Sequence, residues 1–354
     1  MKSDGQHRNI WSILLKYVVP LVISVGLCWL LFHDFDLKDM MRLIRTECRP
    51  GWIVAGLGVT VCSHVFRALR WQLQLNALGV RAPLGALVLS IFGTYAVNLV
   101  FPRLGEVWRC GYIADRQDAL FTAVLGSMMC ERLADTATVL LLTLLAFALA
   151  SEQVMGFIRD NAGTYAGMAD TLTSPWLWLG AAACLAAVWV LLSRPTTNPT
   201  LQRLQRACRE LWQGFIVIGR MPGLGRWLLY TVGIWGCFFG AMFLEFFSFG
   251  FTADVYTHYG LTAVLVTFVL SSISMGVPSN GGIGPWQWAV IFALGVYGLG
   301  SVPAGAFANL VLGASTLLNI ALGIITFTLI AIGRRHRAAS GKKILKQNQD
   351  KCQK

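Results

Sequence analysis

The sequence predicts an all-α polytopic membrane protein with about six full crossings and two re-entrant helical hairpins arranged as an inverted repeat. Three observations carry this. Apolar residues make up 56% of the chain and charged ones only 13%, outside the range of an ordinary soluble domain. Several apolar runs reach the ~20 residues needed to cross a bilayer core of ~30 Å. Two further apolar stretches are broken by proline and glycine where a helix should continue.

The first crossing is expected at 13–32. Lys2, Arg8 and Lys16 lie before or at the start of that run, as in a signal peptide, but no small-x-small cleavage pattern precedes His33. An uncleaved helix is therefore expected. Further crossings follow at 51–69, 122–150, 176–193, 227–250 and 303–332, with interrupted stretches at 83–101 and 261–298. Between the halves, 199–220 carries Leu201, Leu204, Cys208, Leu211, Trp212 and Phe215 at helical spacing, with Arg203, Arg206 and Arg209 off the stripe. That pattern fits a helix lying on an anionic leaflet, or a cytoplasmic connector. One membrane domain over 1–338 is expected, then a basic tail, 339–354, disordered near its end.

Arginine and lysine set the orientation. With the N-terminus inside and both broken stretches re-entering, Lys2, Arg8, Lys16, Arg67, Arg70, Arg81, Arg103, Arg109 and Arg116 face the cytoplasm. So do the arginines of 194–226 and the basic tail, while Lys38, Arg42, Arg45, Arg49 and Arg159 lie outside and Arg132 sits at an edge. A full crossing at 83–101 would export the later basic loops and the tail. Cytoplasmic termini follow, and with them two halves of opposite orientation, each with crossing, crossing, hairpin, crossing. The plainer alternative makes the breaks loops between ordinary helices.

A formal charge of +12 could suggest nucleic acid, but the basic residues fall between apolar segments and in the tail, so no nucleic-acid partner is expected. The nine cysteines are scattered without a CxxC pair, so neither a metal site nor a disulfide framework is expected. There is no GxSxG, HExxH or phosphate-binding loop, and the five histidines form no cluster with carboxylates. No cofactor and no enzymatic reaction are expected. No motif bears on oligomeric state.

The first break runs from Asn98 through Pro102, Arg103, Gly105 and Glu106 to Arg109. Pro102 stops one helix, Gly105 permits a tight turn, and a second helix restarts with its N-terminus toward the membrane interior. Such an end suits an anion, and Arg103 and Arg109 add full charges that can grip a phosphate. Glu106, three residues before Arg109, is placed to pair with it. At the second break Ser279, Asn280, Gly281, Gly282 and Gly284 can expose successive N–H groups ahead of Pro285, which suits a helix start. The glycines alone would equally serve close packing.

Ser127, Glu131, Asp135 and Thr138 share one face of the third crossing, with Arg132 at i,i+3 from Asp135. Ionisable groups within a membrane cost ~2.5–3.5 kcal/mol each at the centre, so they face partners or a cavity, or else snorkel to the interface. Glu245 is a candidate for proton coupling or cation binding, or an interfacial carboxylate. His64 reads as a packed polar residue, and Asn309 and Asn319 as interhelical hydrogen-bonders.

Asn98, Pro102-Arg103-Leu104-Gly105-Glu106, Arg109, Glu131-Arg132 and Asp135, with Pro278-Ser279 and Gly281-Gly282-Ile283-Gly284, resemble the flippase-like membrane-domain family named for lysylphosphatidylglycerol synthase. The resemblance covers about 13–332. It departs from the family pattern at Gln287, where an acidic residue is usual, and no aminoacyl-transferase domain follows in this sequence. It implies movement of a lipid, an aminoacyl-phospholipid or an isoprenoid-phosphate carrier, between leaflets of a bacterial or archaeal cytoplasmic membrane. The expected mechanism holds the headgroup phosphate between the two half-helix ends on Arg103 or Arg109. Two rivals remain. One is a membrane-embedded transferase using Glu106, Glu131 and Asp135. The other is a partner subunit that recruits a separate lipid synthase.

Overall fold

A computed structural model describes residues 37–160, single positions between 174 and 205, Met221, 223–277 and 279–352. The predicted crossing at 13–32, most of 176–193 and of 199–220, and Pro278 lie outside the described residues. The helices are α1 (Leu37–Glu47), α2 (Pro50–Ala77), α3 (Leu84–Val100), α4 (Leu104–Gln117) and α5 (Phe121–Asp160). After them come α6 (Leu224–Glu245), a 3₁₀ turn (Phe246–Ser248), α7 (Gly250–Tyr259), α8 (Leu261–Ser274), α9 (Pro285–Val296) and α10 (Ser301–Cys352). No strand occurs among the described residues.

Among the described residues four helices are long and apolar enough to cross a membrane: α2, α5 to Phe157, α6 with its turn, and α10 to Gly333. They match four of the predicted crossings. Leucines 140, 141, 144 and 145 on α5 and Leu317, Ile324 and Ile325 on α10 are exposed, the surface expected of helices solvated by lipid. α5 bends at Ala150, whose φ of −127° leaves the helical region.

The interrupted stretches fold as short helices. α3 and α4 have 17 and 14 residues, α8 and α9 have 14 and 12. At 1.5 Å per residue these reach roughly 18–26 Å, short of a full hydrocarbon core. Each pair packs together, α3 on α4 and α8 on α9. An element absent from the sequence reading, α7, joins α6 to α8 and is bent 113° from α8 at Gly260. Its ten residues are too few to give a hydropathy signal of their own, and Gly260, at φ 65° and ψ −151°, supplies a turn that suits glycine.

Three expectations need correction. α2 continues to Ala77, so Arg67 and Arg70, counted above as cytoplasmic loop residues, lie inside a helix and are buried. α10 continues through Cys352, so the tail, expected to be disordered near its end, is helical to that point; after Gly333 it has no proline, and lysine, glutamine, alanine and leucine sustain a helix. Gly105 does not form the turn. The left-handed residue is Arg103, at φ 61°, and Gly105 is needed for close approach instead.

Two large apolar clusters, with a smaller third around Cys130, Ala134 and Trp227, hold the described helices. One gathers Phe246, Phe249, Phe307 and Leu294 from the 3₁₀ turn and its C-terminal junction, α9 and α10. The other packs Trp71, Leu87, Ile91 and Ile113 from α2, α3 and α4. The most extensive helix pairing, α2 against α6, joins them. It is antiparallel and kept close by glycine: Gly56 faces Glu245, Gly240 faces Val59, and Gly233 lies against the Phe66 ring.

At Gly105 an added Cβ would lie 2.2 Å from the Thr94 carbonyl oxygen, a backbone atom that cannot move aside. Gly105→Ala should therefore separate α3 from α4 and destabilise the protein by several kcal/mol, on the order of other overpacking changes or more. Gly111→Ala on the same helix meets nothing within 4 Å and should be neutral or stabilising by up to ~1 kcal/mol. Thermal unfolding of both variants in detergent reads the difference.

Candidate functional site

The richest concentration of buried charge lies where α2, α4, α5 and α6 meet. Arg67 and Arg70 come from α2 at i,i+3, Arg109 from α4, and Glu131 and Asp135 from α5 at i,i+4, so each helix offers its charges from one face. Glu131 is fully buried and accepts from all three arginines. Oε1 takes Arg67 Nη1 at 3.3 Å and Arg70 Nη2 at 3.2 Å, and Oε2 takes Arg109 Nη2 at 2.8 Å. Asp135 accepts from Arg67 at 3.2 Å and from Arg70 at 2.7 Å. Arg70 also donates to Thr231 Oγ1 on α6 at 3.3 Å.

Aromatic rings close the cluster. The Arg109 guanidinium lies 4.6 Å from the Trp71 ring centroid, and the Trp71 indole donates to Ser127 Oγ at 2.9 Å. Arg70 lies 5.5 Å from Trp227 and Arg67 6.0 Å from Phe238. Among the described residues three guanidinium groups thus face two carboxylates, leaving one positive charge in excess. The Nε–H groups of Arg67, Arg70 and Arg109 are buried and donate to nothing among the described residues. Since buried donors are normally satisfied, these are free valences for an anionic group.

Glu106 does not pair with Arg109. Its Oε1 lies 3.3 Å from Arg132 Nη2, because Arg109 turns inward to Glu131 while Arg132 stays half-exposed. The partners expected within one helix are exchanged between α4 and α5. Glu131 and Asp135 are not interfacial groups reaching for water, since both are buried against arginine.

The first break is sealed more tightly than the sequence suggests. Asn98 Oδ1 accepts the Gly105 N–H at 2.8 Å, and the Leu104 N–H goes to the Phe101 carbonyl. Two of the four orphan donors at the start of α4 are therefore occupied, and Glu106 adds a negative charge there. Arg103 is exposed and its side chain donates to the Gly276 carbonyl of the second break. The second break keeps more of its donors free. Gly281 and Gly282 have φ of 63° and 88°, and among the described residues their N–H groups donate no backbone hydrogen bond. Asn280 Oδ1 is buried without a partner, and Ser279 Oγ bonds locally to Val277 O at 3.5 Å.

The breaks touch. Besides the Arg103 contact, a Cβ on Gly281 would lie 2.6 Å from Leu99 Cδ2, so Leu99 packs into the glycine. Arg103 and Arg109, the two alternatives for holding a phosphate, do different things: Arg103 precedes α4 and reaches the second break, while Arg109, six residues on, turns into the buried cluster. Gln287, the departure from the family pattern, accepts the Gly284 N–H on Oε1 at 2.9 Å and donates through Nε2 to Asn309 Oδ1 on α10. A carboxylate could cap the helix but could not donate to Asn309. Among the described residues Asn319 makes no such bond, whereas Asn309 links two helices.

Sequence reasoning missed Arg67 and Arg70 as site residues. The signal was present: His64, Arg67, Arg70, Trp71 and Gln74 recur every three or four positions, a polar stripe in helical register that an apolar-run boundary at residue 69 cut in two.

Removing one partner of a buried ion pair costs about 3–5 kcal/mol, because a charge is left uncompensated. Stability losses on substitution by alanine should therefore rank Glu131 above Asp135 and Asp135 above Glu106, following three, two and one arginine partners. Unfolding midpoints of the purified variants check the order.

Residues 17–323 match the family model described as the lysylphosphatidylglycerol synthase TM region. No curated protein matches the chain. The helices, the two proline- and glycine-broken stretches and the buried charges therefore belong to a multi-pass membrane protein of the lysylphosphatidylglycerol synthase transmembrane-region family.

Proposed function

We propose that the protein carries a lipid with an anionic headgroup between the two leaflets of a bacterial or archaeal cytoplasmic membrane, without covalent chemistry. The observation that carries this reading is the excess positive charge buried among Arg67, Arg70, Arg109, Glu131 and Asp135. A net charge in that position is costly unless an anion joins it. A lipid phosphate supplies one charge and several acceptor oxygens for the unused Nε–H groups, while its tails stay in the hydrocarbon.

The arrangement proposed is six crossings and two re-entrant pairs, α3–α4 and α8–α9, related as an inverted repeat with cytoplasmic termini. In its favour are the short lengths of those four helices and the contact between the breaks through Arg103 and Leu99. The headgroup path then passes the free donors of 281–282 and ends at the arginines, with the Arg103 contact closing one side. Of the two arginines the sequence offers for the phosphate, this reading takes Arg109, within its cluster, over Arg103. The substrate classes that fit are phosphatidylglycerol-like and aminoacylated phospholipids and isoprenoid phosphates, delivered by a separate synthase.

The test is reconstitution into vesicles with a fluorescent phosphatidylglycerol analogue in one leaflet. Protein-dependent equilibration, faster than that of a phosphatidylcholine analogue, is expected; no equilibration above protein-free vesicles rejects the proposal. Arg109→Gln balances the cluster at two charges of each sign while leaving Glu131 two arginine partners. It should lower the rate at least tenfold, the effect of losing one charge-assisted contact of ~1.5–3 kcal/mol, measured on variant protein that circular dichroism shows to be folded.

A further inference from the structure

Along the α2–α6 seam lies a second ionisable site with a character opposite to the arginine cluster. Glu245 ends α6 and is only 5% exposed. Its side chain fills a notch left by Gly56 on α2: a Cβ there would lie 2.9 Å from Glu245 Cγ and 3.0 Å from Oε1. Among the described residues no arginine, lysine or histidine pairs with it, and no donor reaches its carboxylate. Among the described residues no cation on the elements packed against α6 forms an ion pair with it. α8 and the 3₁₀ turn carry no ionisable side chain. Cys62, Arg49 and His64 lie roughly 9–12 Å along the chain from Gly56, and Arg49, whose N–H donates to the Ser248 carbonyl, is exposed. α7, in ring contact with α6 through Tyr256 and Phe243, carries Asp254, Tyr256, His258 and Tyr259, none of them paired with Glu245.

A carboxylate that every neighbouring helix leaves without a counter-charge can lodge there cheaply only with a proton of its own. The register of the seam connects it to the cluster. Gly56 faces Glu245 at one end, and Arg70 bonds Thr231 toward the other. The 14 residues from Thr231 to Glu245 span roughly 21 Å of α6. His64 lies between the ends, buried among Tyr95, Phe92 and Phe238, with both ring nitrogens unpartnered. Any shift of α2 against α6 that frees a headgroup from the arginines also moves Gly56 past Glu245.

We infer that Glu245 is a proton-binding site that takes up and releases one proton per translocation cycle, so that an anionic headgroup and a proton travel together. An O–H bond forms with a proton from water on one side of the membrane and breaks to water on the other. Headgroup and proton then cross as a neutral pair, against which the membrane potential does no work. This inference rests on the translocation reading for its cycle, but not for the existence of the proton site.

Two measurements on the full chain test it. Infrared difference spectra of the protein in phosphatidylglycerol vesicles should show a protonated-carboxyl band that is lost on raising pH and is missing from Glu245→Gln. An unchanged spectrum in Glu245→Gln overturns the site. In the second measurement, a gradient of one pH unit should drive the labelled phosphatidylglycerol to about a tenfold leaflet asymmetry at one proton per lipid. Glu245→Gln, which keeps the shape of the neutral acid, should leave the lipid symmetric. Translocation by the wild type with no asymmetry under the gradient overturns the coupling. Wild type that moves no lipid yet shows the carboxyl band supports the proton site and rejects the translocation reading instead.

Discussion

Glu131 is the point on which the structure turns. One carboxylate with no exposed surface receives three guanidinium groups, two from α2 and one from α4, and Asp135 one turn later shares two of them. Without it Arg109 would face the Trp71 ring with no carboxylate and Arg67 and Arg70 would keep only Asp135, at a cost of several kcal/mol in a medium that cannot hydrate them. With it α2, α4 and α5 are fixed in register as well as in contact, since charge-assisted bonds are directional where leucine packing is not. The bond from Arg70 to Thr231 extends the constraint to α6. A polar core of this kind specifies where helices meet; the lipid-facing leucines of α5 and α10 specify only that they are in the membrane.

The two breaks show the same division between what glycine allows and what side chains decide. Gly105 and Gly281 admit close approach, one to the Thr94 backbone and the other to Leu99. What locks the approach is chemistry at the neighbours: Asn98 over the Gly105 N–H, Gln287 over Gly284, and Arg103 reaching Gly276. The N-terminus of α4 consequently has fewer free donors for an anion than its sequence promises.

Much of the fold was legible because long apolar runs have only one stable outcome in lipid. α2, α5, α6 and α10 fall where hydropathy places them, and both breaks fall at Pro102 and in the 275–284 glycine turn. The partners within the site were not legible. Spacing along one helix proposes Glu106 with Arg109, but the bond energy is realised across helices, and nothing local records that Arg109 faces α5 while Arg132 faces α4. Arg67 and Arg70 were lost for a related reason: charge-counting assumes that arginine marks a loop, and here it marks the interior. The short α7 carries too few apolar residues to be separated from its neighbours without coordinates.

The wide separation of these partners in sequence bears on how the chain is made. Arg70 leaves the ribosome 61 residues before Glu131, a delay of roughly 3–12 s at ordinary synthesis rates of ~5–20 residues per second. Throughout that interval α2 has its arginines and no anion to receive them. Release of α2 into lipid before α5 is translated would leave those guanidinium groups unpaired where water cannot reach them, a cost that insertion of α2 to α5 together avoids.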